Sequence, residues 1–300
     1  LLPIYELIYS VDEAYWRIIS LEEKVKLASD YKNMLKRLVS DIENIRAEGI
    51  ITDNDLMKAR LKLSETDLLL LKADNGLELS KMALCQMIGI PYSSNLTLSD
   101  SLDMSSDILQ KFGICENSIS ERPELKMLQG NEKIAASGVK LMQSRYLPNI
   151  ALNAGYTFMN PNPYNGFSEN FGGDLNLGVV LNIPIFHFGD KKHTVNAARA
   201  EQNAASLKLE ETKELLVLQL QQAIYRYDES AKKTQYASLA LDQARQNLKY
   251  TEDNFHEGIL KTTDLLEAQV LWQKAYSELI DSKTEQKLAE SNLIKVSANY

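Results

Sequence analysis

Any chemistry in this 300-residue chain must come from its histidines, its cysteines or its clustered acids. His187, His193 and His256 are scattered and match no metal-ligand spacing such as HExxH. No glycine-rich phosphate loop, Ser/His/Asp signature or other nucleophile motif accompanies them. Cys85 and Cys115 fit no zinc spacing, and one pair is no disulfide framework. Cys85, inside KMALCQMIG, reads as a buried helix residue rather than a functional thiol. The acids alternate with Lys and Arg as on solvated helix faces, and a net charge of −8 leaves no basic face for nucleic acid. These residue types predict no enzyme, no cofactor and no metal.

The elements that carry these residues are unusual in length. Hydrophobic residues make up 44% of the chain and charged residues 25%, which would suit a soluble globule. Yet the 13 Gly and 7 Pro cluster around 148–189 and leave long stretches without a breaker. Such stretches predict helices too long for a compact domain. No run of about 18 apolar residues occurs, which excludes a transmembrane helix but not a β-barrel. The first residues, LLPIYELIYSVDEAYW, already read as helix, so the start is expected to be a processed or truncated end.

An internal repeat at an offset of 209 pairs Ala14 with Ala223, Glu48-Gly49-Ile50 with Glu257-Gly258-Ile259, Asp55-Leu56 with Asp264-Leu265, and Ala59 with Ala268. Each copy reads helix, short Gly turn, helix. Within the copies, apolar or small residues recur every seven positions. One seam holds Leu7, Ala14, Leu21, Ala28, Leu35, Ile42 and Gly49, and its counterpart holds Leu216, Ala223, Ser230, Ala237, Ala244, Thr251 and Gly258. A second seam, four residues on, runs through Val11, Ile18, Val25 and Val39, then Leu220, Tyr227, Leu241, Leu248 and Phe255. Heptads predict left-handed coiled-coil packing, and the frequent Ala favours close neighbours on both sides of each helix. A solitary antiparallel coiled coil is the plainer reading of the hairpins alone.

Between the copies the period changes to two. In YLPNIALNAGYTFMN, Ile150, Leu152, Ala154, Tyr156 and Phe158 share a face opposite Asn149, Asn153 and Gly155. In DLNLGVVLNIPIF, Leu175, Leu177, Val179, Leu181, Ile183 and Ile185 oppose Asn176, Gly178, Val180, Asn182 and Pro184. An aliphatic row backed by Asn and Gly suits a wall between lipid and water, and membrane strands need about 9–11 residues. The alternative is a soluble hairpin packing its aliphatic face on the helices.

The order helix, strand, strand, helix, turn, helix resembles the TolC-type outer-membrane efflux protein family. So do Arg122-Pro123-Glu124-Leu125, Arg145-Tyr146-Leu147-Pro148, Ile183-Pro184-Ile185-Phe186 and Gly189-Asp190-Lys191-Lys192, taken in order. The resemblance implies a mainly α fold, with long antiparallel coiled-coil hairpins forming an α-barrel and the strand pair giving its share of a trimeric β-barrel. It divides the chain into a first periplasmic hairpin (1–88, tip near 47–54), an equatorial segment (89–121) and an ascending helix (122–145). The strand pair (146–188, external loop 160–173) and a second hairpin (189–300, tip near 256–263) complete it. The N-terminal third of a complete subunit, with its own strand pair, is expected to be missing.

The resemblance further implies a homotrimer in the outer membrane, mostly periplasmic, acting as a passive export duct. Its expected partners are outer-membrane lipid, a periplasmic adaptor and, through the adaptor, an inner-membrane pump. Adaptor docking is assigned to the tips, at Gly49, Ile50, Thr52, Asp53, Gly258, Ile259, Leu260 and Thr262. Constriction or gating is assigned to Asp55, Asp264 and Glu267, and lipid contact to Ile150, Leu152, Tyr156, Phe158, Leu175, Leu177, Val179 and Leu181. Leu260 stands where a family member has a gating arginine, so that latch is not expected. The tips also read simply as hairpin turns with Asp53 or Thr262 as N-cap, and Asp264 and Glu267 as first-turn acids favoured by the helix dipole. The competing function is a periplasmic coiled-coil adaptor or scaffold with no pore.

Overall fold

The computed structural model describes residues 2–47, 52–93, 96–102, 119, 122–161, 169–186 and 188–297. Five helices and two strands follow in the order α1 (Leu2–Ala47), α2 (Asp53–Ile88), α3 (Pro123–Ser144), β1 (Asn149–Met159), β2 (Gly172–Asn182), α4 (Asp190–His256) and α5 (Thr262–Val296). At 67 residues α4 is the expression of a sequence with no Gly or Pro between Lys191 and Glu257. The chain forms two compact units, one of Leu1–Pro123 with Leu215–Tyr300 and one of Glu124–Glu214.

In the first unit, α1, α2, α5 and the second part of α4 pack by the heptad seams. On α4 the expected residues Leu216, Leu220, Ala223, Tyr227, Ser230, Ala237, Leu241, Leu248, Thr251 and Phe255 are all buried, while Ala244 is half-buried. On α1 Ile18, Ala28, Leu35 and Ile42 are buried, but Leu7 is 54% exposed. The repeat is visible in three dimensions: Leu56 and Ala59 meet Leu265 and Ala268 in one cluster with Tyr31, Leu35, Leu38, Ile42, Leu248 and Phe255. Full burial of a leucine such as Leu35 contributes about 2 kcal/mol. A second cluster seats Ile19, Leu27 and Ile280 against Leu102, and Tyr15 donates to Asp100 at 2.8 Å. The segment 96–102 is thus held on α1.

Cross-helix ion pairs follow the seams. Lys32 meets Asp67 at 2.6 Å, Lys24 meets Asp281 at 2.5 Å and Lys233 meets Glu285 at 2.8 Å. Each is solvent-screened, so they fix register more than they add stability. Lys81 is the exception, buried at 8% exposure and paired with Glu22 at 2.9 Å.

In the second unit β1 and β2 pair antiparallel over eleven residues, from Asn149 opposite Asn182 to Met159 opposite Gly172. The register aligns Ile150 with Leu181, Leu152 with Val179, Ala154 with Leu177 and Tyr156 with Leu175. The two aliphatic rows therefore coincide on one face, as a side-chain period of two requires. Tyr156 lies across Gly173, where a Cβ would collide with its ring, so the glycine is covered by a neighbouring aromatic.

Candidate functional site

The apolar face of the strand pair is open. Ile150 is 73% exposed, Leu152 77%, Leu177 69% and Val179 68%, with Tyr156, Phe158, Leu175 and Leu181 similarly uncovered. The soluble alternative required this face to pack on helices, and among the described residues it does not. The opposite face carries Asn149, Asn153, Asn176, Asn182, Thr157 and Asp174, interrupted by Ala151 and by Val180, 56% exposed. Two solvents of opposite character, one per face, are what this pattern fits. An aromatic ladder closes one end: Phe158 stacks on Tyr156 at 6.5 Å and on Phe171 at 5.3 Å.

At the other end the backbone makes an abrupt turn into α4. Phe188 and Gly189 both adopt positive φ, 43° and 85°. This places Phe188 outward at 92% exposure, with its ring 4.7 Å from that of Phe186. Tyr146 donates to the Asp190 carboxylate at 2.6 Å, Thr194 donates to the same carboxylate at 3.1 Å, and Lys191 stands 5.9 Å over the Tyr146 ring. Spacing alone gives no sign of this junction, since Tyr146 and Asp190 lie on separate elements.

The second tip is a Schellman turn. Gly258 has φ 75°, its N–H donates to Phe255 O at 3.0 Å, and the Ile259 N–H donates to Asn254 O at 2.9 Å. Ile259 is left 65% exposed and Leu260 half-buried. The N-caps fall one residue earlier than expected. Thr52 caps α2, its hydroxyl accepting from the Asp55 N–H at 3.4 Å and donating to the Asp55 carboxylate at 2.7 Å, and Lys261 caps α5, its backbone N–H donating to the Asp264 carboxylate at 3.0 Å. An ammonium has no lone pair, so at Lys261 only the returning half of a capping box forms. Asp55 and Asp264, equivalent in the repeat, both bond back to the cap residue, Asp55 to its hydroxyl and Asp264 to its backbone N–H. Thr262 is buried beneath the turn and presents no surface. Glu267 is exposed one turn further on.

At the first tip, Arg46 and Asp53 pair at 2.5 Å across the turn, and Asp53 is exposed. Gly49 and Ile50 lie outside the described residues. Above the tips, Arg37, Asp41, Glu252, His256 and the buried Gln269 line a cavity of about 200 Å³. Burial there raises the Glu252 carboxyl above its ordinary pKa, with His256 opposing the shift. Sequence reasoning missed this cluster, because its members come from three helices. Among the described residues no group of three or more metal-ligating side chains converges, and no helix is long and apolar enough to cross a membrane.

Residues 114–299 match the family described as outer membrane efflux protein. The outer membrane protein TolC of Vibrio cholerae is 22% identical over 266 residues, covering 87% of this chain and 60% of that protein. The alkaline protease secretion protein AprF of Pseudomonas aeruginosa is 21% identical over 291 residues, covering 93% of this chain and 58% of that protein. The chain therefore spans about three fifths of the length of the curated relatives it matches. Among solved structures, the outer membrane protein VceC from Vibrio cholerae superposes with a TM-score of 0.78 at 17% identity, over 98% of this chain and 70% of that one. At that identity the likeness shows the fold.

Proposed function

Since the chain belongs to the outer membrane efflux protein family, we propose that the protein containing it is the channel subunit of a tripartite efflux or secretion system. It is a passive duct from periplasm to exterior, with most of this chain in the periplasm. The observation that carries the reading is the open aliphatic face of β1 and β2, lined by residues from Ile150 to Phe158 and from Leu175 to Leu181. Left in water, such a face is an aggregation surface; against lipid it is satisfied.

A second observation supports assembly with further copies. α2 exposes Met57, Leu61, Leu68 and Leu71, and α4 exposes Leu215, Leu218, Tyr225, Tyr236, Leu239 and Tyr250. Both sets keep heptad spacing on faces other than the buried seams, as helices with neighbours on both sides require. We assign these faces to contacts between subunits of a homotrimer. The adaptor reading has no place for a two-faced strand pair of this kind.

The tips are assigned to adaptor docking, with Ile259 as the apolar contact of the second tip and Thr52 and Asp53 exposed on the first; the adaptor in turn joins an inner-membrane pump. Three copies of Asp55, Asp264 and Glu267 around one axis would make a negative constriction. The capping bonds of Asp55 and Asp264 explain those two acids locally, so Glu267 is the sharper test of the ring. Expression of the full-length subunit in a Gram-negative host tests the whole. Recovery from the outer membrane only with detergent, as a particle of three subunits by light scattering, is expected; a detergent-free monomer would sink the reading.

A further inference from the structure

We propose that the foot of the strand pair is a binding site for an anionic phospholipid, with Arg145, Lys191 and Lys192 holding the headgroup phosphate while Ile185, Phe186 and Phe188 enter the acyl layer. The inference rests on the outer-membrane reading above and adds to it a lipid of stated charge at a stated place.

Four observations carry it. Ile185, Phe186 and Phe188 are 91%, 70% and 92% exposed, an apolar collar just beyond the end of β2. Arg145 borders the same recess as Ile185 and Phe186, Lys191 and Lys192 follow Phe188 along the chain, and all three side chains are exposed. Asp190 is the only acid between Ile183 and Ala200, and there is none from Lys140 to Met159. That carboxylate accepts from the neutral hydroxyls of Tyr146 and Thr194 and stands as one negative charge against the three cations, so the stretch keeps a net positive charge. Finally, Arg145, Ile183, Ile185 and Phe186 border an open recess of about 550 Å³ at the strand ends, which Asn149 and Asn182 enter from the polar face.

The geometry is held rather than incidental. The Tyr146–Asp190 bond fixes the residue after Arg145 to the residue before Lys191, and Lys191 leans over the Tyr146 ring. Positive φ at Phe188 and Gly189 turns the phenyl ring out from the helix start. Cations level with interfacial aromatics are the arrangement that engages anionic headgroups, and a zwitterionic lipid gives no comparable gain. A protein partner matched to this collar would need an apolar pocket and clustered acids together; that outcome is covered below.

The test uses the full-length subunit in vesicles of equal phosphatidylglycerol and phosphatidylcholine, with co-purifying lipid read by native mass spectrometry. Wild type should retain phosphatidylglycerol preferentially. The triple variant Arg145→Gln/Lys191→Gln/Lys192→Gln should insert as before and lose that preference, by roughly fivefold for each cation removed. Lys208→Gln/Lys213→Gln, on α4 away from the junction, should behave as wild type. Insertion without lipid preference in wild type, or an unchanged preference in the triple variant, overturns the proposal alone. Failure of wild type to insert into any bilayer overturns it together with the membrane reading. Displacement of the retained lipid by a periplasmic protein at this site would also refute it.

Discussion

The hydroxyl of Tyr146, just before β1, donates to the carboxylate of Asp190, the first residue of α4, at 2.6 Å. It closes the base of the strand pair across two separate chain connections. Tyr146→Phe and Asp190→Asn should each lower the stability of this junction by about 1 kcal/mol, and the double variant should lose little more. Hydrogen exchange of the amides around 146–149 and 190–194 checks this, with faster exchange in either single variant.

Glycine should matter at the tip and not in α3. At Gly258 the φ of 75° is unfavourable for any residue with a Cβ, so Gly258→Ala should destabilise by about 1 kcal/mol. Gly138 sits inside α3 with open space where a Cβ would go. There alanine restricts only the unfolded chain, and Gly138→Ala should stabilise by about 0.5–1 kcal/mol. Thermal denaturation of the two variants should give shifts of opposite sign.

Leucines on the two kinds of seam should respond differently. Leu35 is completely buried, and Leu35→Ala should cost about 2–5 kcal/mol through lost burial and the cavity left behind. Leu61 is 62% exposed in the chain, so Leu61→Ala should hardly change the fold of one subunit. It should instead lower the trimer's resistance to dissociation, measured by light scattering across a detergent series.

Two polar groups, the half-buried Glu252 and the buried Tyr31, make signed predictions. Burial raises the Glu252 carboxyl above the ordinary 4.5, so the folded chain binds that proton more tightly than the unfolded chain. Its contribution to stability is therefore greatest below pH 4.5 and declines as pH rises through the folded value. Glu252→Gln should stabilise the protein at neutral pH, with the gain vanishing on acidification; denaturant midpoints across pH show this. The Tyr31 hydroxyl is buried with no hydrogen-bond partner, and desolvation pushes its pKa up to about 12. Tyr31→Phe removes an unsatisfied group and should be stabilising by about 1 kcal/mol.

Periodicity made most of this fold legible. The ten buried seam residues of α4 and the two coincident faces of the sheet follow from periods of seven and two alone. A period states which residues share a stripe, not what covers it, and so Leu7 is exposed at the end of a well-formed heptad. Capping was legible only in type. Thr52 and Lys261 take the N-caps because an acid three residues on completes each turn, a rule that overrides the poor capping character of lysine. The Arg46–Asp53 pair, the Glu252 cavity and the Tyr146–Asp190 bond join different elements, and nothing local in the sequence marks them.

The central claim is a lipid-embedded, trimeric, passive duct. Single-channel recording of the full-length subunit in a planar bilayer tests it most directly. Stable stepwise conductance without any nucleotide or ion gradient as energy source is predicted, with Glu267→Gln weakening cation preference. A protein that inserts yet conducts nothing, even with its tips loosened by Gly258→Ala, would contradict it.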